Sequence, residues 1–257
     1  MLATIEKVQQ EEKTFKLFQV KKKERNMNYP KKVSLGDITV RDGFQHEEIL
    51  IPTAAKLWLS EELILAGFKK IEVTNFGNPK GMPQFADADD LMKAMHKSKK
   101  IKHLLPDVEV TAVTIRERAV ERAIEAYKEG YGPDRILLMV STSEAHHRKN
   151  SGLTLDEYWK MSEECIKNAT DAGMKVNGTV STIWGCPMTG PTEMSKAVEF
   201  TKRWLDIGAS DVEHADHDGS ASPDRVFKYF SMILDAIPDT SKHIVHLHTT
   251  RGWGLAN

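Results

Sequence analysis

The chain has 257 residues, 40% of them hydrophobic and 28% charged, and its 36 basic residues nearly cancel 37 acidic ones for a formal charge of −1. That length suits one α/β barrel of about 250 residues with a sizeable core, and the balanced charge argues against recruitment to nucleic acid or acidic membranes by bulk electrostatics. No apolar run approaches the ~20 residues of a membrane helix, no signal-peptide pattern opens the chain, and Cys165 and Cys186 make neither a CxxC pair nor a disulfide framework, so a soluble enzyme of a reducing cytoplasm is expected.

Residues 1–32 are rich in Lys, Glu and Gln and include the run Lys21–Lys22–Lys23–Glu24–Arg25. Such runs sit in water, so the segment reads as a charged arm, helical or mobile, with docking to a second subunit as the alternative. From Val33 onward strands alternate with helices. The first strand is expected over Val33–Val40, the second over Lys70–Asn75 and the third over Val108–Thr114, each short, rich in Val and Ile and preceded by a turn signal. A helix over Arg116–Glu129 follows, with Ala119, Val120, Ala123, Ile124 and Tyr127 on one face and Gly130 as its stop. Strand four is expected over Arg135–Ser141. Thr154 and Glu157 then form a capping box ahead of Tyr158, Met161, Cys165 and Ala169, with Gly173 as the stop. Strand five is expected over Lys175–Ile183, and a helix opening at Thr192 and closing at Gly208. Strand six is expected over Asp211–Ala215. Ser222 and Pro223 open a helix with Val226, Phe230, Ile233 and Ile237 buried, and strand seven covers His243–His248. Strand starts average about 35 residues apart, one βα unit each. A parallel sheet follows, and seven units without a midway break favour a (β/α)8 TIM barrel over an open sheet.

Barrel enzymes place their chemistry at the C-terminal ends of the strands. At the first end, Arg41 and Asp42 precede Gly43: an ordinary Asp-Gly turn, or a guanidinium that clamps a carbonyl beside a hard oxygen ligand. Glu72 lies inside an apolar strand, either at a solvated edge or lining a site; a closed barrel has no edge, which favours the site. The loop from Asn75 to Gln84, with two prolines and two glycines, reads as a shaped substrate loop. Cys186, between Gly185 and Pro187, is a pocket-lining residue, a plain loop residue or a thiol nucleophile, with no visible neighbour to lower its pKa. Strand six ends in Glu213, His214, Asp216, His217 and Asp218, a density of ionisable groups that points to a polar site, with Asp216 the best acid or base candidate. His246 and His248 are two apart on a strand, so their imidazoles share a side and Leu247 takes the other. They are two surface histidines or a metal-ligand pair; adjacency to Asp42 across the barrel closure favours the pair.

These motifs together resemble 3-hydroxy-3-methylglutaryl-CoA lyase, within the wider group of metal-dependent barrel lyases and acyl-transferring synthases. The resemblance covers Val33–Asn257. It is carried by RDGFQ at Arg41–Gln45, IEVTNF around Glu72, NPKGMPQ at Asn78–Gln84, VSTIWGCP at Val180–Pro187, the Asp216 strand end with Gly219 and Pro223, and HLHTTRGWGLAN at His246–Asn257. It implies that Asp42, His246 and His248 hold a divalent metal, Mg²⁺ or Mn²⁺ with Zn²⁺ as the alternative, and that Arg41 stabilises an enolate oxygen. Glu72 and Asp216 join Arg41 as catalytic groups of the inner polar shell, and Gln45, Asn75 and Cys186 contact substrate. The activity implied is cleavage of a 3-hydroxyacyl-CoA into an acyl-CoA and an oxo acid; a Claisen-type synthase and a catalytically silent metal-binding barrel are the alternatives. The expected partner is a small acyl-CoA rather than nucleic acid or membrane, in a homo-oligomer.

Two positions depart from the family. Its His-x-His-Asp here reads His246–Leu247–His248–Thr249, and its Asp-Thr-Ile-Gly reads Asp216–His217–Asp218–Gly219. A related substrate with a different carboxylate reach is therefore expected to turn over faster than the methylglutaryl compound. The family also takes an Asn ligand and a glycine-rich loop with a reactive Cys from beyond strand seven. An eighth strand needs more than the nine residues after His248. The barrel domain, 33–257, is thus expected to be incomplete at its C-terminus and the native protein to run longer.

Overall fold

The computed structural model describes residues 32–249. The chain divides into two units, Met1–Ser34 and Leu35–Asn257, and the fold below is that of the second; the charged arm expected over 1–32 lies, apart from Lys32, outside the described residues. Seven strands form one parallel sheet in chain order: β1 Gly36–Asp37, β2 Lys70–Asn75, β3 Glu109–Val113, β4 Arg135–Ser141, β5 Lys175–Ser181, β6 Asp211–Asp216 and β7 His243–Leu247. The helices between them are α1 Thr53–Leu65, α2 Ala88–Lys97, α3 Glu117–Lys128, α4 Glu144–Ser151, α5 Leu155–Asp171, α6 Met194–Asp206 and α7 Pro223–Ala236. This is the TIM-barrel succession, with no eighth strand among the described residues.

In a flat sheet, seven strands would hold β1 and β7 roughly 29 Å apart at the usual spacing. Here Asp42, just past β1, lies 3.1 Å from His248, just past β7. The sheet must therefore curl until its two edges approach, and no ladder joins them among the described residues.

The helices pack their apolar stripes on the outer face. Trp159 of α5 and Trp204 of α6 meet edge to face at 4.7 Å between centroids. Gly178 of β5 makes room for Trp204: a Cβ there would fall onto the indole ring. At the N-terminal end of the strands, Arg135 reaches inward to Asp211 and Glu109, and Asn177 donates to the same Asp211 carboxylate. This buried polar plug leaves the opposite end for the chemistry.

Two sequence expectations need correction. The first strand is two residues long rather than Val33–Val40. Asp37 accepts hydrogen bonds from the backbone and hydroxyl of Thr39 and so ends the strand early, and Thr39–Gly43 then winds into a π-helical turn, a form that often marks functional sites. The helix expected from Thr192 opens at Met194 instead, because the Thr192 hydroxyl donates back to the carbonyls of Thr182 and Ile183 rather than capping it. The capping box at Thr154 and Glu157 is present, and Ser222 and Pro223 open α7.

Candidate active site

Alternation along the strands decides which side chains enter the lumen. In β6 the paired residues Val212, His214 and Asp216 face the helices: His214 packs on Tyr229 and Phe230 of α7. Asp211, Glu213 and Ala215 therefore face inward. In β7 the same rule sends His246 inward, with His248 following, and Leu247 outward to the core. In β2 it sends Glu72 inward between the buried Ile71 and Val73. The π turn after β1 supplies Arg41 and Asp42.

These groups converge. Arg41 donates through Nε to Glu72 and through Nη1 to Asp42 Oδ1 at 2.6 Å and Gln45 Oε1 at 3.2 Å. Its Nη2 makes no hydrogen bond among the described residues. His246 Nδ1 lies 2.8 Å from Glu213 Oε1, and His248 Nδ1 lies 3.0 Å from the His217 carbonyl oxygen. Carboxylate and carbonyl oxygens only accept, so both Nδ1 atoms carry a hydrogen; both Nε2 atoms face Asp42, where a protonated His248 ring donates to Oδ2 and a neutral ring offers a lone pair. The two Nε2 atoms are 2.9 Å apart, and Asp42 Oδ2 is 3.1 Å from that of His248 and 3.9 Å from that of His246. Two imidazole nitrogens and one hard oxygen, all within 4.8 Å of one another, could hold a metal ion.

The electrostatics fit that cluster. Burial opposes ionisation of Asp42, but the His248 hydrogen bond and the Arg41 charge hold its carboxyl well below the usual range. Burial favours a neutral Glu72 and, with the Glu213 charge, outweighs the pull of Arg41, so Glu72 is pushed up. Burial acts on Glu213 too, yet His246 and Arg41 bring it down. His246 is raised against its burial by Glu213, and His248 is raised by its bond to Asp42.

Other expected site residues stand apart from this cluster. Asp216, raised by burial, accepts hydrogen bonds from the backbone N–H groups of Ser220 and Ala221 and shapes the loop after β6. Asn75 Oδ1 accepts from the Gly77 backbone, which turns the loop after β2. Cys186 is bonded by the Met188 N–H at 3.4 Å. The pKa-lowering neighbours that its sequence context hid are here: against burial, the Ser143 and Thr189 hydroxyls and two backbone N–H groups bring its thiol down.

Glu213 is the group sequence reasoning passed over. In sequence it is one of several ionisable residues near the end of strand six, and strand alternation puts it on the opposite face from Asp216. His146 went unremarked. It lies in α4, with Nδ1 2.6 Å from Ser141 Oγ, itself 2.8 Å from Ser181 Oγ, and with Nε2 3.1 Å from His217 Nε2. No sequence signal joins residues in different βα loops.

A family model described as HMGL-like matches residues 32–257. The chain is 31% identical over 229 residues to the mitochondrial hydroxymethylglutaryl-CoA lyase of Bos taurus, covering 89% of this chain and 66% of that protein. It thus spans just under two-thirds of that relative's length. Among solved structures, the HMG-CoA lyase of Bacillus subtilis superposes with a TM-score of 0.80 at 28% identity, covering 90% of this chain and 73% of that one. An HMG-CoA lyase from Acenitobacter baumannii, in complex with coenzyme A and 3-methylmalate, superposes with a TM-score of 0.78 at 27% identity over 88% of this chain and 69% of that one.

Proposed function

We propose, since the chain belongs to the HMGL-like family, that it is a divalent-cation-dependent carbon–carbon lyase. Its substrate is a 3-hydroxyacyl-CoA bearing a carboxylate, 3-hydroxy-3-methylglutaryl-CoA or a close relative, and its products are an acyl-CoA and an oxo acid. The observation that carries this reading is the meeting of His246 Nε2, His248 Nε2 and Asp42 Oδ2 beside the buried Arg41 guanidinium. The relative whose structure holds coenzyme A and 3-methylmalate supports an acyl-CoA substrate.

Asp42, His246 and His248 would hold the cation, Mg²⁺ or Mn²⁺ with Zn²⁺ as the alternative. When bound, it supplies Lewis acidity that lowers the pKa of a substrate hydroxyl. The rest is the work of the chain. Glu72, whose carboxyl burial raises above its ordinary range, is suited to accept the hydroxyl proton. As the carbon–carbon bond breaks, its electron pair departs as an enolate with charge on the thioester oxygen, and the proton taken up at Glu72 would go to the enolate carbon to give the acyl-CoA. Arg41 meets the charge on that oxygen with Nη2, because Nε and Nη1 are already fixed by Glu72, Asp42 and Gln45. A donor held rigid in advance is worth most at such a point. Asp216 is the second candidate proton carrier, while its backbone bonds set the loop that bears His217. Gln45, Asn75 and Cys186 would contact substrate around this centre. A barrel domain over 33–257 behind a charged arm, homo-oligomeric assembly and a cytoplasmic setting belong to the same reading. Both described cysteines are free, and no described helix is long and apolar enough to cross a membrane.

The test is to supply candidate hydroxyacyl-CoAs with Mn²⁺ and follow the appearance of the oxo acid, with and without a chelator. Cleavage that the chelator abolishes supports the proposal. Release of free thiol from acetyl-CoA and a 2-oxo acid, with no cleavage of any hydroxyacyl-CoA, would replace it with the Claisen-type synthase.

A further inference from the structure

We infer that Glu213 is a positioning residue: it fixes the His246 imidazole in the Nδ1–H form, turns Nε2 towards Asp42 and His248, and thereby sets the affinity of the site for a divalent cation. The inference rests on the cation reading above and adds to it a residue outside the ligand set.

The argument starts from the register. Glu213 pairs with Thr179 of β5 and Ile244 of β7, inside the penultimate strand of the curled sheet and on its inner face. From there its Oε1 reaches His246 Nδ1 at 2.8 Å. An imidazole turned over about its Cβ–Cγ bond would place a carbon where Nε2 now stands, so a ring that must present Nε2 needs a partner for Nδ1. His248 has such a partner in the main chain, the His217 carbonyl, which no substitution removes. His246 has a side chain instead. Both Glu213 and His246 are largely buried, their side chains 11% and 12% exposed, so water is a poor substitute for the carboxylate. Groups in this position commonly change metal affinity by about 10–100-fold when removed.

Two variants of the full chain separate the parts of this role. Glu213→Gln keeps an oxygen acceptor and loses the charge; Glu213→Leu loses both. Mn²⁺ affinity, read from the electron paramagnetic resonance signal of the free ion, should fall by less than tenfold in E213Q and by about 10–100-fold in E213L. The second readout needs no metal. Nitrogen-15 shifts of the His246 ring in the parent protein at pH 8 should show the hydrogen on Nδ1, and in E213L that preference should be lost. A parent ring with its hydrogen on Nε2, or an E213L protein that binds Mn²⁺ as tightly as the parent, overturns the inference. A parent that binds no Mn²⁺ while the ring still follows Glu213 overturns the cation reading instead.

Discussion

Replacing Arg41 with Met should cost stability as well as activity, and the two losses should be separable. The guanidinium is surrounded by the carboxylates of Glu72 and Asp42, with the Glu213 charge nearby. Removing one partner of a buried ion pair leaves an uncompensated charge and costs about 3–5 kcal/mol. At a urea slope of about 2 kcal/mol/M, the unfolding midpoint should fall by roughly 1.5–2.5 M. Adding Glu72→Gln removes the stranded carboxylate and should return at least about half of that loss. Activity should not return: kcat should stay about 10²–10³ below the parent in R41M, where the proposed donor to the growing negative charge is gone, and no higher in the double variant, which also lacks the proposed proton acceptor Glu72. The rescue should also shrink at pH 5. Burial already pushes Glu72 up, and without Arg41 it would take a proton more readily and neutralise itself. Tryptophan fluorescence in urea and steady-state turnover measure the two effects. A loss below about 1 kcal/mol in R41M, or a double variant no more stable than R41M, would refute the account of this buried pair.

Three further outcomes are expected. His248→Ala should weaken Mn²⁺ binding more than tenfold, measured by titration calorimetry; unchanged affinity would remove His248 from the ligand set. Burial lowers His146 and His147 from 6.5 to about 4, so both stay neutral in the fold while the unfolded chain takes up protons from pH 6.5 down. Their contribution to stability is complete above pH 6.5 and lost as pH falls towards 4, and a His146→Asn variant should melt with a shallower pH dependence across that window; an unchanged slope would sink this assignment. Gly178→Ala should destabilise by about 1–3 kcal/mol through overpacking against Trp204, and a thermal midpoint equal to the parent's would show that the ring can move.

How much could be read beforehand follows the range of each interaction. β2 and β4 match their expected bounds because their apolar runs end at turns encoded next to them. β1 did not, because its end depends on a hydrogen bond from Thr39 to the Asp37 side chain and on the π turn that follows. That His246 and His248 share a side was legible from strand alternation, and their inward aim from the position of Asp42 at the other edge of the barrel. Alternation likewise puts Glu213 on the opposite face of β6 from Asp216, but no sequence pattern shows that its partner is His246. The contact of His146 with His217 spans 71 residues and two loops, and the Ser143 hydroxyl beside Cys186 comes from a loop on another strand. Such neighbours are set by the curl of the sheet, which no local pattern encodes.

The curled sheet also dictates the order in which this site can come into being. Each strand pairs with one laid down about 35 residues earlier, so the ladders can zip up from local encounters, which cost little loop entropy. The bond between Asp42 and His248 is different: it joins residues 206 apart and has no ladder between β1 and β7 to hold it in place among the described residues. It can close only when every intervening strand is in register. The cluster of Asp42, His246 and His248 is therefore the part of the structure that depends on all the ladders at once, whereas each stretch of core depends only on its neighbouring strands.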